Sequence, residues 1–150
     1  MIKVGTGVIV RRNNKLLVGR RKGSHGEGCL AFPGGHIDFE DSSFAEQAAR
    51  EVNEEVGMEI ELVNPDEGRQ DLFTTFDILS EKHKYVTVYL LANYVSGGIE
   101  YEEDKFKPLE DKCEGWQFLT IDEIVKNMKS HDEAWIPRER LLFYRNIIEV

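Results

Sequence analysis

The hydrophobic positions of this chain fall first into short runs of strand-like composition and only later into helical spacing. Residues 2–11 are rich in Val and Ile with Thr6 interspersed, and "KLLVGRR" follows directly after Asn13 and Asn14. Two such runs across an Asn-Asn pair predict a β-hairpin. "RKGSHGEG" (21–28) carries three glycines and predicts an irregular loop, which leads through the short apolar "CLAF" to "PGG". From Phe44 to Val56 apolar and small residues recur at helical spacing; Ser43 with Glu46 fits a capping box, and Gly57 stands where a C-terminal cap belongs. "MEIELV", "DLFTTFDIL", "KYVTVYLLANYV" and "WQFL" predict strands on their β-branched and aromatic content. Thr120 with Glu123 predicts a second capped helix over "IDEIVKNMK", and Pro137 the first turn of a last one, "PRERLLFYRNII". The polar stretch 100–112, "EYEEDKFKPLEDK", predicts an exposed loop.

Length and composition narrow the classes. A chain of 150 residues that is 41% hydrophobic can bury one core, so a single domain over 1–150 is expected. The net charge of -9 argues against a nucleic-acid polymer as partner, because backbone binding relies on clustered Lys and Arg. An acidic protein still binds a small phosphorylated ligand when a divalent cation supplies the positive charge. Cys29 and Cys113 are far apart with no C-x-x-C spacing, which predicts neither a zinc ribbon nor a disulfide framework and fits a reduced compartment. The longest apolar runs are short, as in "VTVYLLA", so no membrane partner is expected and a cytoplasmic location is.

The unusual charge pattern is "REVNEEVG", Arg50 to Gly57, with three glutamates inside five residues. At about 100° per residue, Arg50, Glu54, Glu51 and Glu55 fall within one arc of roughly 140°, while Ala45, Val52, Val56 and Ala49 take the opposite side. This predicts a helix with its apolar side inward and its acids outward. One explanation is a solvated polar face, since like charges one turn apart cost only a few tenths of a kcal/mol in water. The other is a set of oxygen ligands for a hard divalent cation, with Arg50 pairing Glu54 one turn later to hold a carboxylate in place. The helix alone leaves both open.

The wider context separates them. "GGHIDFEDSSFAEQAAREVNEEVGM", Gly34 to Met58, resembles the signature of the Nudix hydrolases. Arg50, Glu51, Val52, Glu54, Glu55 and Gly57 match its second half position by position, with Met58 at the closing site. The first half departs from it. Counting from Gly35 puts Asp41 where the family has a glutamate, with one extra residue before Arg50. The resemblance implies an α/β fold, the α/β/α sandwich around a mixed sheet. It also implies Mg²⁺, or Mn²⁺, held by Glu54 and Glu55, with Glu51 as a further ligand or the proton acceptor and the carbonyl of Gly34 or Gly35 as another donor. On the same ground Arg50 belongs to the catalytic set.

Further stretches, "GRRKGSHGEG", "FPGGHIDFED", "KYVTVYL" and "KCEGWQF", are similar to the MutT-like nucleotide-pool branch, including its thiopurine- and oxidised-guanine-nucleotide diphosphatases. That implies conversion of (deoxy)nucleoside triphosphates, modified ones included, to the monophosphate and pyrophosphate. "DLFTTF" occupies the region where the ADP-ribose and diadenosine-polyphosphate branches carry a Pro or Tyr. An ADP-linked or dinucleotide substrate, and a non-catalytic nucleotide sensor, are the alternative readings. The resemblance further implies a phosphate contact for Arg21, an approach of His36 to the α-phosphate, and a homodimer. Glu114 is the candidate loop base, with Glu110 and Glu103 as alternatives. Trp116 and Trp135 either stack on a base or belong to the core or an interface. His25, His83 and His131 show no metal spacing.

Overall fold

Strands β1 (Ile2–Arg12) and β2 (Lys15–Arg21) form the expected hairpin, because Asn13 and Asn14 adopt φ of 52° and 61°, the left-handed pair that a two-residue turn of matching twist needs. The computed structural model describes residues 2–23, 27–64 and 68–149. The middle of the glycine-rich loop, with His25, lies outside them. Then come β3 (Leu30–Ala31), β4 (Gly34–His36), helix α1 (Phe44–Val56), β5 (Met58–Val63), β6 (Phe73–Ser80) and β7 (His83–Gly97). The chain continues with β8 (Glu100–Glu102), β9 (Lys105–Phe106), β10 (Cys113–Leu119) and α2 (Ile121–Asn127). A 3-10 turn (Ser130–Ala134), α3 (Arg138–Phe143) and α4 (Arg145–Ile148) complete it.

The strands make one mixed sheet in the order β5-β7-β1-β2-β10-β9-β8, with β6 also on β7, β4 on β1 and β3 on β2. β1 and β7 run parallel from Ile2 to Arg11 and occupy the centre. Both faces of this centre are covered, so alternate residues enter two different cores. Val8, Val10, Leu90 and Ala92 pack on Ala48, Val52 and Val56 of α1. Ile9 and Leu91 pack on Ile121, Ile124, Leu141 and Ile148 of the C-terminal helices. The result is the expected α/β/α sandwich. Val52 and Val56 are fully buried, and each contributes roughly 2 kcal/mol of apolar burial to docking α1. No helix of the described residues is long and apolar enough to cross a membrane.

The second edge of β1 is shared: Gly5–Gly7 pair with β4, while Arg11 and Arg12 pair with β2. The sheet forks between them and leaves a cleft.

Three expectations are corrected. The stretch 100–112 is not an exposed loop: β8 and β9 extend the sheet, and Phe106 is fully buried. Its acids are used rather than solvated, since Asp104 pairs with Arg12 (2.9 Å) and Lys15 (2.7 Å), and Glu100 with Arg12 (2.8 Å). The last helix is broken at Tyr144 into α3 and α4, and Pro137 sits at the cap rather than inside the first turn. The box at Thr120 and Glu123 is complete, but at Ser43 only half forms. Ser43 Oγ accepts the Glu46 amide at 3.0 Å, whereas the Glu46 carboxylate accepts from the Ser42 hydroxyl instead.

Candidate active site

Helix α1 is fixed at both ends, by Ser43 as N-cap and by Gly57 in the left-handed conformation (φ 77°) with its amide donating to Asn53 O. Its buried side is not the one that its apolar residues predict. Ala49 is exposed, while Gln47, Glu51 and Glu55 are buried beside Ala48, Val52 and Val56. The reason is β4, which crosses α1 and draws the acidic arc inward. Gln47, on that same arc, ties the two together: Nε2 donates to Gly35 O at 2.9 Å and to His36 O at 3.3 Å, and its carbonyl oxygen accepts from the Thr6 hydroxyl. The pattern gave no weight to Gln47; an amide in the middle of an acidic arc is the signal that could have found it.

The glycine pair lets β4 approach so closely. Gly34 has φ of 156°, and a Cβ there would stand 2.0 Å from Thr6 O. Its amide donates to Glu55 Oε2 at 3.0 Å. Burial pushes the Glu55 carboxyl up to about 8, against the lowering effect of that amide. Glu51 is also raised, first by burial and then by the charge of Glu54. Glu54 is half exposed at the rim.

Arg50 joins these groups. Its Nη2 donates to Asp41 Oδ1 at 2.8 Å, and its Nη1 lies 3.6 Å from carboxylate oxygens of both Glu51 and Glu54. Asp41, whose counterpart in the sequence pattern is displaced by the extra residue, thus holds the arginine rather than standing among the acids. A hydrogen bond donated by the Asp38 backbone amide, and then the guanidinium of Arg50, hold its carboxyl below the usual range.

These groups border a cleft of about 440 Å³. Gly34, Gly35, His36, Glu51 and Glu55 line one end. Arg21 and Lys112 add positive charge, and Arg21 lies over the Trp135 ring at 4.1 Å, its pKa lowered by burial. His36 stacks on Tyr85 with ring centroids 5.8 Å apart, and burial lowers its pKa. Trp116 is buried in the α1-side core and contributes to the wall.

None of the loop acids Glu103, Glu110 and Glu114 lines the cleft, but their charges fall on different groups. The charge of Glu110 bears on both Glu51 and Glu55. Glu114 is exposed, does not line the cleft, and bears on Cys113 and Lys22 instead; Glu103 bears on Lys15. Elsewhere, Cys29, His131 and Asp132 bring ligand atoms within 4.8 Å of one another. There Asp132 already accepts the amides of Leu30 (3.2 Å) and Lys129 (3.0 Å) and pairs with Arg20 (3.4 Å), which makes it a pin for the 3-10 turn. His83 is exposed on the β6–β7 turn against Ser80.

The residues at the α1 end suit a hard cation. All donors are oxygens, two carboxylates are buried, only Glu55 accepts an amide, that of Gly34, and a Cβ on Gly35 would collide with Glu51.

Comparison with known proteins agrees with this geometry. A family model described as NUDIX domain matches residues 1–139. Among solved structures, the MutT protein from Methanosarcina mazei Go1 superimposes with a TM-score of 0.74 at 18% identity, covering 99% of this chain and 96% of that one. The MutT NUDIX hydrolase from Burkholderia pseudomallei gives 0.70 at 20%, covering 92% and 98%. A UDP-X diphosphatase gives 0.71 at 16%, covering 98% of this chain and 63% of that one. At these identities the likeness to individual structures is one of fold.

Proposed function

The chain belongs to the NUDIX hydrolase family, and from that premise we propose that it is a Mg²⁺-dependent pyrophosphohydrolase that converts (deoxy)nucleoside triphosphates to the monophosphate and pyrophosphate. The observation that carries the reading is the convergence of Glu51 and Glu55 on the Gly34–Gly35 strand at one end of a cleft with aromatic and cationic walls, with Glu54 beside them on Arg50. Glu54, Glu55 and the Gly35 carbonyl, with Glu51, would hold the cation. Bound there, it would supply positive charge against phosphate oxygens and make water more acidic.

The chain's own residues do the rest. Arg50, braced by Asp41, sets the spacing of Glu51 and Glu54. Arg21 and Lys112 offset phosphate charge. Glu51, raised by burial, is suited to accept the proton released on attack, and among the loop acids Glu110 is the one whose charge reaches Glu51 and Glu55. The resemblance in "KYVTVYL" and "KCEGWQF" favours a triphosphate over a UDP- or ADP-linked substrate.

A panel of nucleoside triphosphates, ADP-ribose and UDP-sugars, assayed with Mg²⁺ for pyrophosphate or monophosphate release, tests this directly. Pyrophosphate from a triphosphate is expected, and Glu54→Gln should lower turnover by more than about 100-fold. Release of AMP from ADP-ribose alone would reject the triphosphate assignment.

A further inference from the structure

Arg21 stands in the cleft as a half-buried cation at the end of β2. Its backbone is fixed, the amide donating to Cys29 O and the carbonyl accepting from the Gly28 amide, each at 2.8 Å. The strand does not restrain its side chain in the same way, and a long arginine side chain gives up much rotamer freedom when it is ordered. Burial works against its charge and lowers its pKa, while the carboxylate of Glu55 acts to raise it.

Trp135 supplies the restraint. The guanidinium carbon of Arg21 lies 4.1 Å from the centre of the Trp135 ring, and both residues line the cleft. The ring quadrupole attracts a cation over its face, and more strongly as water is removed. The ring is itself held. Trp135 directly follows the 3-10 turn, and its amide and that of Ile136 donate to Asp132 O at 2.9 and 2.8 Å. Ile136 is fully buried in the core under the C-terminal helices. The Asp132 carboxylate, which the hydrolytic chemistry does not use, is fully buried on the amides of Leu30 and Lys129 and meets Arg20 at 3.4 Å. Successive strand residues point to opposite faces, and this one turn meets both, Arg20 through its carboxylate and Arg21 through its indole.

We propose that Trp135 is a positioning residue: its ring, locked by Asp132, holds the Arg21 guanidinium where the phosphate chain of the substrate arrives. This rests on the phosphate contact given to Arg21 in the triphosphate reading and adds the residue that sets it. A cation fixed in advance binds an anion without the loss of freedom that ordering it would cost. Trp135 therefore acts on affinity for the polyphosphate and leaves attack on phosphorus to the acids of α1. A base laid on the same indole face would have to displace the guanidinium, so stacking is the competing use of this ring.

The test pairs calorimetry with inorganic tripolyphosphate, which carries no base, with kcat and KM for a nucleoside triphosphate. Trp135→Leu, or Trp135→Met should leucine not fold, should weaken tripolyphosphate binding and raise KM by about 10-fold, with kcat within about twofold. Trp135→Phe, which keeps an aromatic face, should recover most of the loss. Arg21→Ala combined with Trp135→Leu should lose little beyond Arg21→Ala alone, because both remove one contact. Unchanged affinity in Trp135→Leu, equal losses in the Leu and Phe variants, or losses that multiply in the double variant overturn the assignment. So does a rise in KM with tripolyphosphate binding intact, which would put a base on the ring. Tripolyphosphate binding that depends on Trp135, without turnover of any triphosphate, rejects the hydrolase reading and keeps Trp135; turnover indifferent to Trp135→Leu does the reverse.

Discussion

A Cβ on Gly35 would stand 2.8 Å from Cδ of Glu51 and 2.9 Å from each of its carboxylate oxygens. The backbone of β4 and a buried acid of α1 are therefore in a contact that only glycine permits, and the Gln47 bond to Gly35 O keeps them there. Gly35→Ala should push the Glu51 carboxylate aside by a fraction of an ångström to an ångström. Displacement on that scale costs activity on the order of 100-fold. The loss should appear in kcat with the fold retained, as circular dichroism and a melting curve would report; full activity in the alanine variant would show that the spacing is not used.

Glu55 makes a pH prediction with a definite sign. Its carboxyl is raised from 4.5 to about 8 in the fold, so between those values the native state holds a proton that the unfolded chain has lost. Stability of the metal-free protein should fall as pH rises from about 4.5 to about 8, then level. A cation must displace that proton, so its affinity should rise across the same window with proton release at pH 7. Melting curves at pH 5, 7 and 9, and titration calorimetry in buffers of different ionisation enthalpy, measure both. In Glu55→Gln the Glu55 part of the slope should vanish; an unchanged slope would mean that Glu55 titrates normally.

Much of this was legible before any coordinates. Strands β1, β2, β5 and β7 announced themselves by β-branched content, and α1 by its caps and spacing, because each is a local preference that the tertiary fold leaves in place. Which acids are buried was not legible. A helical wheel sorts residues by their own polarity, and Glu51 and Glu55 are inside only because two glycines let β4 lie across them. Charge misled in the same way at residues 100–112, where Asp104 and Glu100 meet Arg12 and Lys15 from another hairpin while Phe106 fills the core.

The pairing of Arg50 with Asp41 explains how the chain tolerates a departure from the family pattern. The extra residue lies in the segment before α1, and Asp41 still reaches the guanidinium at 2.8 Å, so the arginine keeps its place between Glu51 and Glu54. If Asp41 acts only through Arg50, then Asp41→Ala and Arg50→Ala should each weaken Mg²⁺ affinity by about 10- to 100-fold, the range for partners that orient metal ligands. The double variant should lose little beyond either single one, because both remove the same brace. Asp41→Glu, one methylene longer, should restore part of the loss. Losses that instead multiply in the double variant would mean that Asp41 contributes on its own, as a ligand of the cation rather than as the anchor of Arg50.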